Sequence, residues 1–511
     1  MSFARIFSAQ TSLLDAHIVT VEIDLSKGLH TFSIVGLPDK AVEESRDRVS
    51  AALKNSNFEK SASFKAPKHN NIKIVVSLAP ADLKKEGPLF DVPIALAYLL
   101  ANGELEADTD KQLFLGELSL DGHVRPTTGI LPLVQKAHFE GFKDIFVPKD
   151  NVAEAGLVDD ITIFPIENLG QVVEHLRGTS LIDSYIHSDT KQKPAQVQVK
   201  HLEMIRGQEH AKRGLMIAAA GGHNIALFGP PGTGKTMLAK ALSSLLPPLS
   251  NAAALEVTGI HSIAGILGDT LVTHPPLRSP HHTASYVALV GGGAIPRPGE
   301  VTLAHRGVLF LDEFPEFDRR VINALRQPLE DGEVSITRAK GSATFPSDFI
   351  LIAALNPCQC GFYGTNKCTC TPSSLQRYRQ KISGPIMDRI DMWIEVGAVE
   401  HSKLLEIPKD SGETKAAQLT IAQARAIQLD RFKLSERLNA GMSPSGLAHH
   451  AKLSIACADI LNKAATKMNL SPRAYHRCIK LSRTIADLEH SQDIKETHIL
   501  EALQYRPKQE I

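Results

Sequence analysis

The octapeptide GPPGTGKT, Gly229 to Thr236, constrains this chain more than any other feature of it. It follows the apolar run Asn224 to Phe228, opens a helical pattern, and matches G-x-x-x-x-G-K-[ST] at every fixed position. Gly229, Gly232 and Gly234, with Pro230, Pro231 and Thr233 between them, let backbone N–H groups curl around a phosphate, and the next helix turns its positive end toward it. Lys235 is placed to reach the β- and γ-phosphates of a bound nucleoside triphosphate, and the Thr236 hydroxyl to ligate Mg²⁺. A strand before and a helix after are the context that a loop of this kind requires.

Further along stands GVLFLDE, residues 307 to 313. Four apolar residues in a row suit a strand buried on both faces, with Asp312 and Glu313 at its C-terminal end, where ligands sit in open α/β sheets. Asp312 is the candidate for the Mg²⁺ shell, and Glu313 for the general base that polarises an attacking water. FILIAALN, 349 to 356, reads as another buried strand. Its last residue, Asn356, either orients water near the γ-phosphate or simply forms a turn before Pro357.

At 511 residues several domains are expected. Lysine and arginine number 56, aspartate and glutamate 56, so net charge gives no sign of a polyanion partner, and any nucleic-acid site must be a local patch. The first residues show no export signal and no stretch is apolar enough to span a bilayer, which points to the reducing cytoplasm and away from membranes. Residues 1 to 178 alternate strands and helices. VTVEIDLSKGLHTFSIVGLP reads as two strands turned at Lys27-Gly28, Asp39 as a helix cap before Val42, Val49 and Leu53, Ile72 to Leu78 as a strand, Val92 to Leu100 as a helix, and Asp121-Gly122 as a hairpin turn. Residues 179–200 turn polar and read as a linker. Residues 201–400 hold the nucleotide motifs, and 401–511 carry helical periodicity.

The order of these motifs resembles the AAA+ ATPases and, more narrowly, their magnesium-chelatase-related branch, through LRSPHHTASYVALVGGGAIPRPGEVTLAHRGVLFLDE. Taken with the N-terminal region and a cysteine cluster, the whole chain is similar to the ComM (YifB-like) competence protein family. The resemblance implies an α/β fold: an AAA+ P-loop core with a helical lid, preceded by a Lon-protease-like (ribosomal S5 domain 2-like) α/β domain. It also implies ATP and Mg²⁺ as ligands, a homo-hexameric ring, and action on single-stranded or branched DNA as a branch-migration helicase in natural transformation. An arginine supplied in trans is matched by Arg389 in GPIMDRID, and a lid arginine by Arg473 in LSPRAYHR. Arg473 equally reads as one of a solvated basic stripe with Arg477, Lys480 and Arg483. Leu89 and Leu131 stand where the protease pattern places its serine and lysine, so the first domain has no nucleophile or base there.

Insertions that face the central pore in this branch correspond to residues 258–306, read as loop-rich, with Arg278, His281, His282 and Arg297, and to a hairpin EVSITRAKGSATF with Arg338 and Lys340 at its tip. Cations repeated around a ring suit a phosphate backbone, although basic tips are commonly just solvated. Cys358, Cys360, Cys368 and Cys370 are spaced to enclose one structural Zn²⁺; reduced structural cysteines or a redox-labile pair are the alternatives. Three other functions remain compatible with the motifs: a metal-chelatase motor subunit, a protein remodeller and an ATP-binding scaffold.

Overall fold

The computed structural model describes residues 2–61, 64–67, 71–185, 202–268, 271–293, 297–338, 341–364, 366–381, 384–397, 412–433 and 437–507. Most of the expected linker lies outside them. Two compact units emerge: Met1–Gln192 with Leu255–Leu271, and Lys193–Ala254 with Val272–Ile511.

In the first unit seven strands form one sheet, in the order Thr31–Val35, Ile72–Ala79, Asp15–Lys27, Phe3–Ser12, Gln112–Phe114, Asp144–Pro148, Thr162–Ile166. Alternate residues Val19, Val21 and Ile23 are fully buried, as a period-2 pattern demands. Asp39 caps Lys40–Asn55, its Oδ1 accepting from Val42 N at 2.8 Å, and Asp91–Ala101 forms the expected apolar helix. Asp121-Gly122 turns a short hairpin between Glu117–Leu118 and Val124–Arg125. The two strands expected around Lys27-Gly28 exist but are not partners. Both pair with Ile72–Ala79, one antiparallel and one parallel, and that strand, with Ile74, Val76 and Leu78 fully buried, takes the place between them. Leu89 and Leu131 are both buried in this unit's core, so neither position presents chemistry to a substrate.

A second correction concerns residues 258–306. The stretch begins inside a helix, Asn251–Ala264, and Leu255–Leu271 belongs to the first unit although it lies between the ATPase motifs in sequence. Its Ser262 hydroxyl donates to the Glu154 carboxylate, which also accepts from Leu131 N at 2.8 Å. The helix buries Ala253, Ala254, Val257 and Ile260.

The second unit is built on five parallel strands in the order Leu277–Arg278, Val308–Leu311, Ile350–Leu355, Ile225–Phe228, Met392–Glu395. Val308–Leu311 and Ile350–Leu355 are buried at every position, which is why they read as unbroken apolar runs. The C-terminal helices pack on this sheet. Ile421, Ala424, Leu481, Ile485 and Tyr505 share one apolar core with Ile225, Leu227, Ile352 and Ile394. Among the described residues no helix is long and apolar enough to cross a membrane.

The lid's grip on the sheet is ionic as well as apolar. Asp391, just before Met392–Glu395, accepts from Asn224 N at 3.0 Å and pairs with Arg477 of the helix Pro472–Leu488. Burial alone would push this carboxyl up. Arg477, His223 and the Asn224 N–H outweigh burial and hold it well below the usual carboxylate range. Its ionised form therefore stabilises the fold fully above the unfolded-chain value of ~3.9, and that stabilisation is lost as pH falls toward the folded-state value. Asp391→Asn leaves the half-buried Arg477 without its counter-charge. It is expected to lower unfolding free energy by about 3–5 kcal/mol at neutral pH, with parent and variant converging in acid. Fluorescence of buried Trp393, the chain's one tryptophan, reads the transition in urea.

Candidate nucleotide site

Three strands of the second sheet end together. Gly229 follows Phe228, Asp312 follows Leu311 and Asn356 follows Leu355, and the register pairs Phe228 with Leu355 and Leu311 with Ala353. All three residues therefore meet at the C-terminal edge, where the phosphate loop Gly229–Thr236 leads into the helix Lys235–Leu245. Gly232 and Gly234 adopt φ of 77° and 90°, a backbone that only glycine takes up without strain, and this turns successive N–H groups inward.

Lys235 is buried, and its Nζ donates to Gly229 O at 2.7 Å, Pro230 O at 2.9 Å and Asn356 Oδ1 at 3.0 Å. Burial pushes the ammonium pKa down, and nearby Asp312 partly offsets this. A triphosphate supplies stronger acceptors than neutral carbonyls, so the ammonium is already where a β/γ-phosphate would draw it. Thr236 Oγ1 lies 3.2 Å from Asp312 Oδ2. A hydroxyl and a carboxylate side by side form a hard oxygen donor set that fits Mg²⁺, which takes few protein ligands and completes its shell with water and phosphate. Asp312 Oδ1 also accepts from Glu313 N at 2.9 Å. Glu313 has φ of +50°, rare for a residue with a side chain, and its half-exposed carboxylate lies 3.1 Å from His282 Nδ1. His282, a candidate DNA contact by sequence, thus touches the candidate general base. The structure thereby places Lys235, Thr236, Asp312, Glu313 and Asn356 in one site.

The two candidate arginines lie elsewhere. Arg389 precedes Met392–Glu395, whose first residue pairs with Ile225, so it sits at the N-terminal edge of the sheet. Asn224 confirms the placement, its Nδ2 donating to Arg389 O at 3.3 Å. At roughly 3.3 Å per residue, the four-residue strand alone puts about 13 Å between that edge and the phosphate loop. Arg389 is buried and ion-paired with Glu330, and Glu330 also accepts from Arg473 Nη2 at 3.2 Å. Arg389 and Arg473 therefore form a pair on the edge opposite their own phosphate loop. The stripe reading of Arg473 does not hold for its neighbours. Arg477 donates to Arg389 O at 2.9 Å, Lys480 to Ala440 O at 2.8 Å, and Arg483 to Ser491 O and Gln492 O at 2.6 and 2.8 Å. Glu330 and Asp391 escaped the sequence reading, since acidic residues in a helix and beside an arginine carry no signal of partners so far away in the chain.

Among the DNA candidates, Arg278 makes a bidentate pair with Glu300 at 2.7 and 2.8 Å. His281 Nδ1 meets Thr283 Oγ1 at 2.9 Å and its ring packs against His282. Arg297 is exposed. The expected hairpin forms, Glu333–Arg338 against Gly341–Pro346. Lys340 and the Arg338 side chain lie outside the described residues.

The four clustered cysteines do converge. Their sulfur atoms all lie within 4.8 Å of one another, with Cys358–Cys360 at 3.3 Å, Cys360–Cys368 at 3.7 Å and Cys358–Cys368 at 4.0 Å. Four thiolates at ~2.3 Å from one tetrahedral zinc stand about 3.8 Å apart, so the set fits that ion. Burial pushes the Cys358 thiol up to about 11, while backbone N–H groups of Phe362 and Thr369 hold Cys360 down to about 6. Cys457 and Cys478 are buried core residues.

Residues 201–404 match the model of the magnesium chelatase subunit ChlI, 21–151 a second model of that subunit, and 411–506 the model of its C-terminal region. Competence protein ComM of Haemophilus influenzae is 42% identical over 99% of this chain and 98% of its own length. YifB of Escherichia coli is 40% identical over 99% and 97%. DNA replication licensing factor Mcm6 of Drosophila melanogaster is 25% identical over 58% of this chain and 36% of its own. The chain belongs to the magnesium-chelatase-related AAA+ ATPases, in the ComM and YifB family.

Proposed function

We propose that this chain is an ATP-hydrolysing motor that works as a ring, a homo-hexamer with each catalytic site shared between neighbours, and that it moves along DNA. The observation that carries the shared site is the polarity of the second sheet. Lys235, Thr236, Asp312, Glu313 and Asn356 occupy one edge, and Arg389 with Arg473 the other. One molecule cannot bring both sets to one phosphate, whereas a head-to-tail neighbour in a closed ring can.

In such a site the loop N–H groups and Lys235 bind the β- and γ-phosphates. Thr236 and Asp312 hold Mg²⁺, which neutralises phosphate charge when bound. Glu313 takes the proton of the attacking water, and Asn356 orients that water. The neighbour's Arg389 and Arg473 leave Glu330 for the transferring phosphoryl group, whose charge is shared among its oxygens. The Cys358–Cys370 loop belongs to the same account as a structural zinc site.

DNA as the track, and branch migration of recombination intermediates during natural transformation as the task, follow the likeness to a protein named for competence and to a replication licensing factor. A protein remodeller or a chelatase motor would use the same ATP chemistry. The decisive measurement is ATP turnover with and without single-stranded or forked DNA at two salt concentrations. A motor on DNA is stimulated severalfold, and the stimulation fades with salt because phosphate contacts release counterions. Turnover indifferent to DNA at both salts rejects the DNA reading.

A further inference from the structure

The cysteine loop is not a remote appendage of the ATPase core. It leaves the sheet directly after Asn356 and returns on the helix Pro372–Lys381, where buried Tyr378 donates its hydroxyl to Asn356 O at 3.0 Å. Chain exit and chain return are thus tied at the residue whose side chain meets Lys235. Within the loop, Gly361 has φ of +84°, and a Cβ built there would stand 2.6 Å from Pro231 Cδ. The loop backbone therefore lies directly against the phosphate loop. Among the described residues of 357–371, only Cys358 and Gly361 are buried. An apolar core cannot hold this segment in place.

We propose that one Zn²⁺ bound by Cys358, Cys360, Cys368 and Cys370 makes this loop the buttress of the ATP site, fixing Pro231 from one side and Asn356 from the other. Binding takes all four sulfurs as thiolates and releases the protons that they still carry, with no change of oxidation state. The metal then supplies the ordering that the loop lacks, as small metal-closed segments do. Misplacing a catalytic group by about 1 Å can cost on the order of 10²-fold in rate, so loss of the clamp is read in hydrolysis as well as in metal content. This inference rests on the zinc reading and on the ATP site, and is independent of whether DNA is the track.

Zinc is counted in the purified full chain by mass spectrometry, and ATP turnover is measured without DNA, so a failed DNA reading leaves both readouts intact. The expectation is one zinc per chain. The double variant Cys360→Ser/Cys368→Ser should lose the metal and lower kcat/KM for ATP on the order of 10²-fold. A chain that carries no zinc and takes none up overturns the site. A variant free of zinc with unchanged turnover overturns the buttress. Should the double variant fail to fold by Trp393 fluorescence, Gly361→Ala separates the two claims. It keeps all four thiols but sets a methyl group against Pro231. Retained zinc with a fall in turnover supports the coupling, and full turnover contradicts it.

Discussion

Glu313→Gln binds ATP as tightly as the parent chain and hydrolyses it about 10²–10⁴-fold more slowly. The amide keeps the size of the carboxylate and can still face His282, but it cannot take a proton from water. In the proposed site binding is spared because Lys235 and the loop N–H groups would contact the phosphates, and Thr236 and Asp312 would hold the metal. Binding is measured with a fluorescent ATP analogue and hydrolysis by phosphate release. Turnover equal to the parent's would remove Glu313 from the mechanism. Joint loss of binding and turnover would mean that the carboxylate holds the nucleotide or the loop, and does not act as base.

The second large effect is complementation. Arg389→Ala alone and Lys235→Ala alone are each expected to be nearly inactive, since a trans arginine is worth roughly 10³–10⁵ in rate and the lysine seats the phosphates. Mixed in equal amounts they should regain activity. In a closed head-to-tail ring each site takes its phosphate loop from one subunit and its arginine from the next, so about one site in four is intact in random mixtures. The reason lies in the strand register, which puts Arg389 beside Asn224 and the phosphate loop beyond Phe228. Mixed rings verified by tag exchange that show no recovery would place Arg389 outside the neighbour's site.

The candidate site was legible where chemistry follows strand ends. GPPGTGKT, Asp312-Glu313 and Asn356 each terminate an apolar run, and parallel strands of one sheet bring their ends to one edge, so a linear motif reports a spatial one. Pairings between distant residues were not legible. Glu330 meets Arg473 across 143 residues, and Tyr378 closes on a main-chain oxygen that no side-chain pattern announces. Helical periodicity offered Arg473, Arg477, Lys480 and Arg483 as one solvated stripe. Packing separated them, because Asp391, Ala440 and the Ser491–Gln492 turn draw three of the four inward. The strands flanking Lys27-Gly28 were legible but their partner was not, since local residues specify where the chain turns and only tertiary pairing decides which strand lies alongside. The pairing of Arg278 with Glu300, 22 residues on, likewise has no signal in the local pattern.

The most direct test of the shared ATP site begins with its near half: phosphate release from ATP by the purified full chain, with and without magnesium, beside Lys235→Ala. The account predicts magnesium-dependent release that the lysine variant lacks. Release that is the same for both proteins and indifferent to magnesium, or a parent chain that binds no ATP, would contradict it.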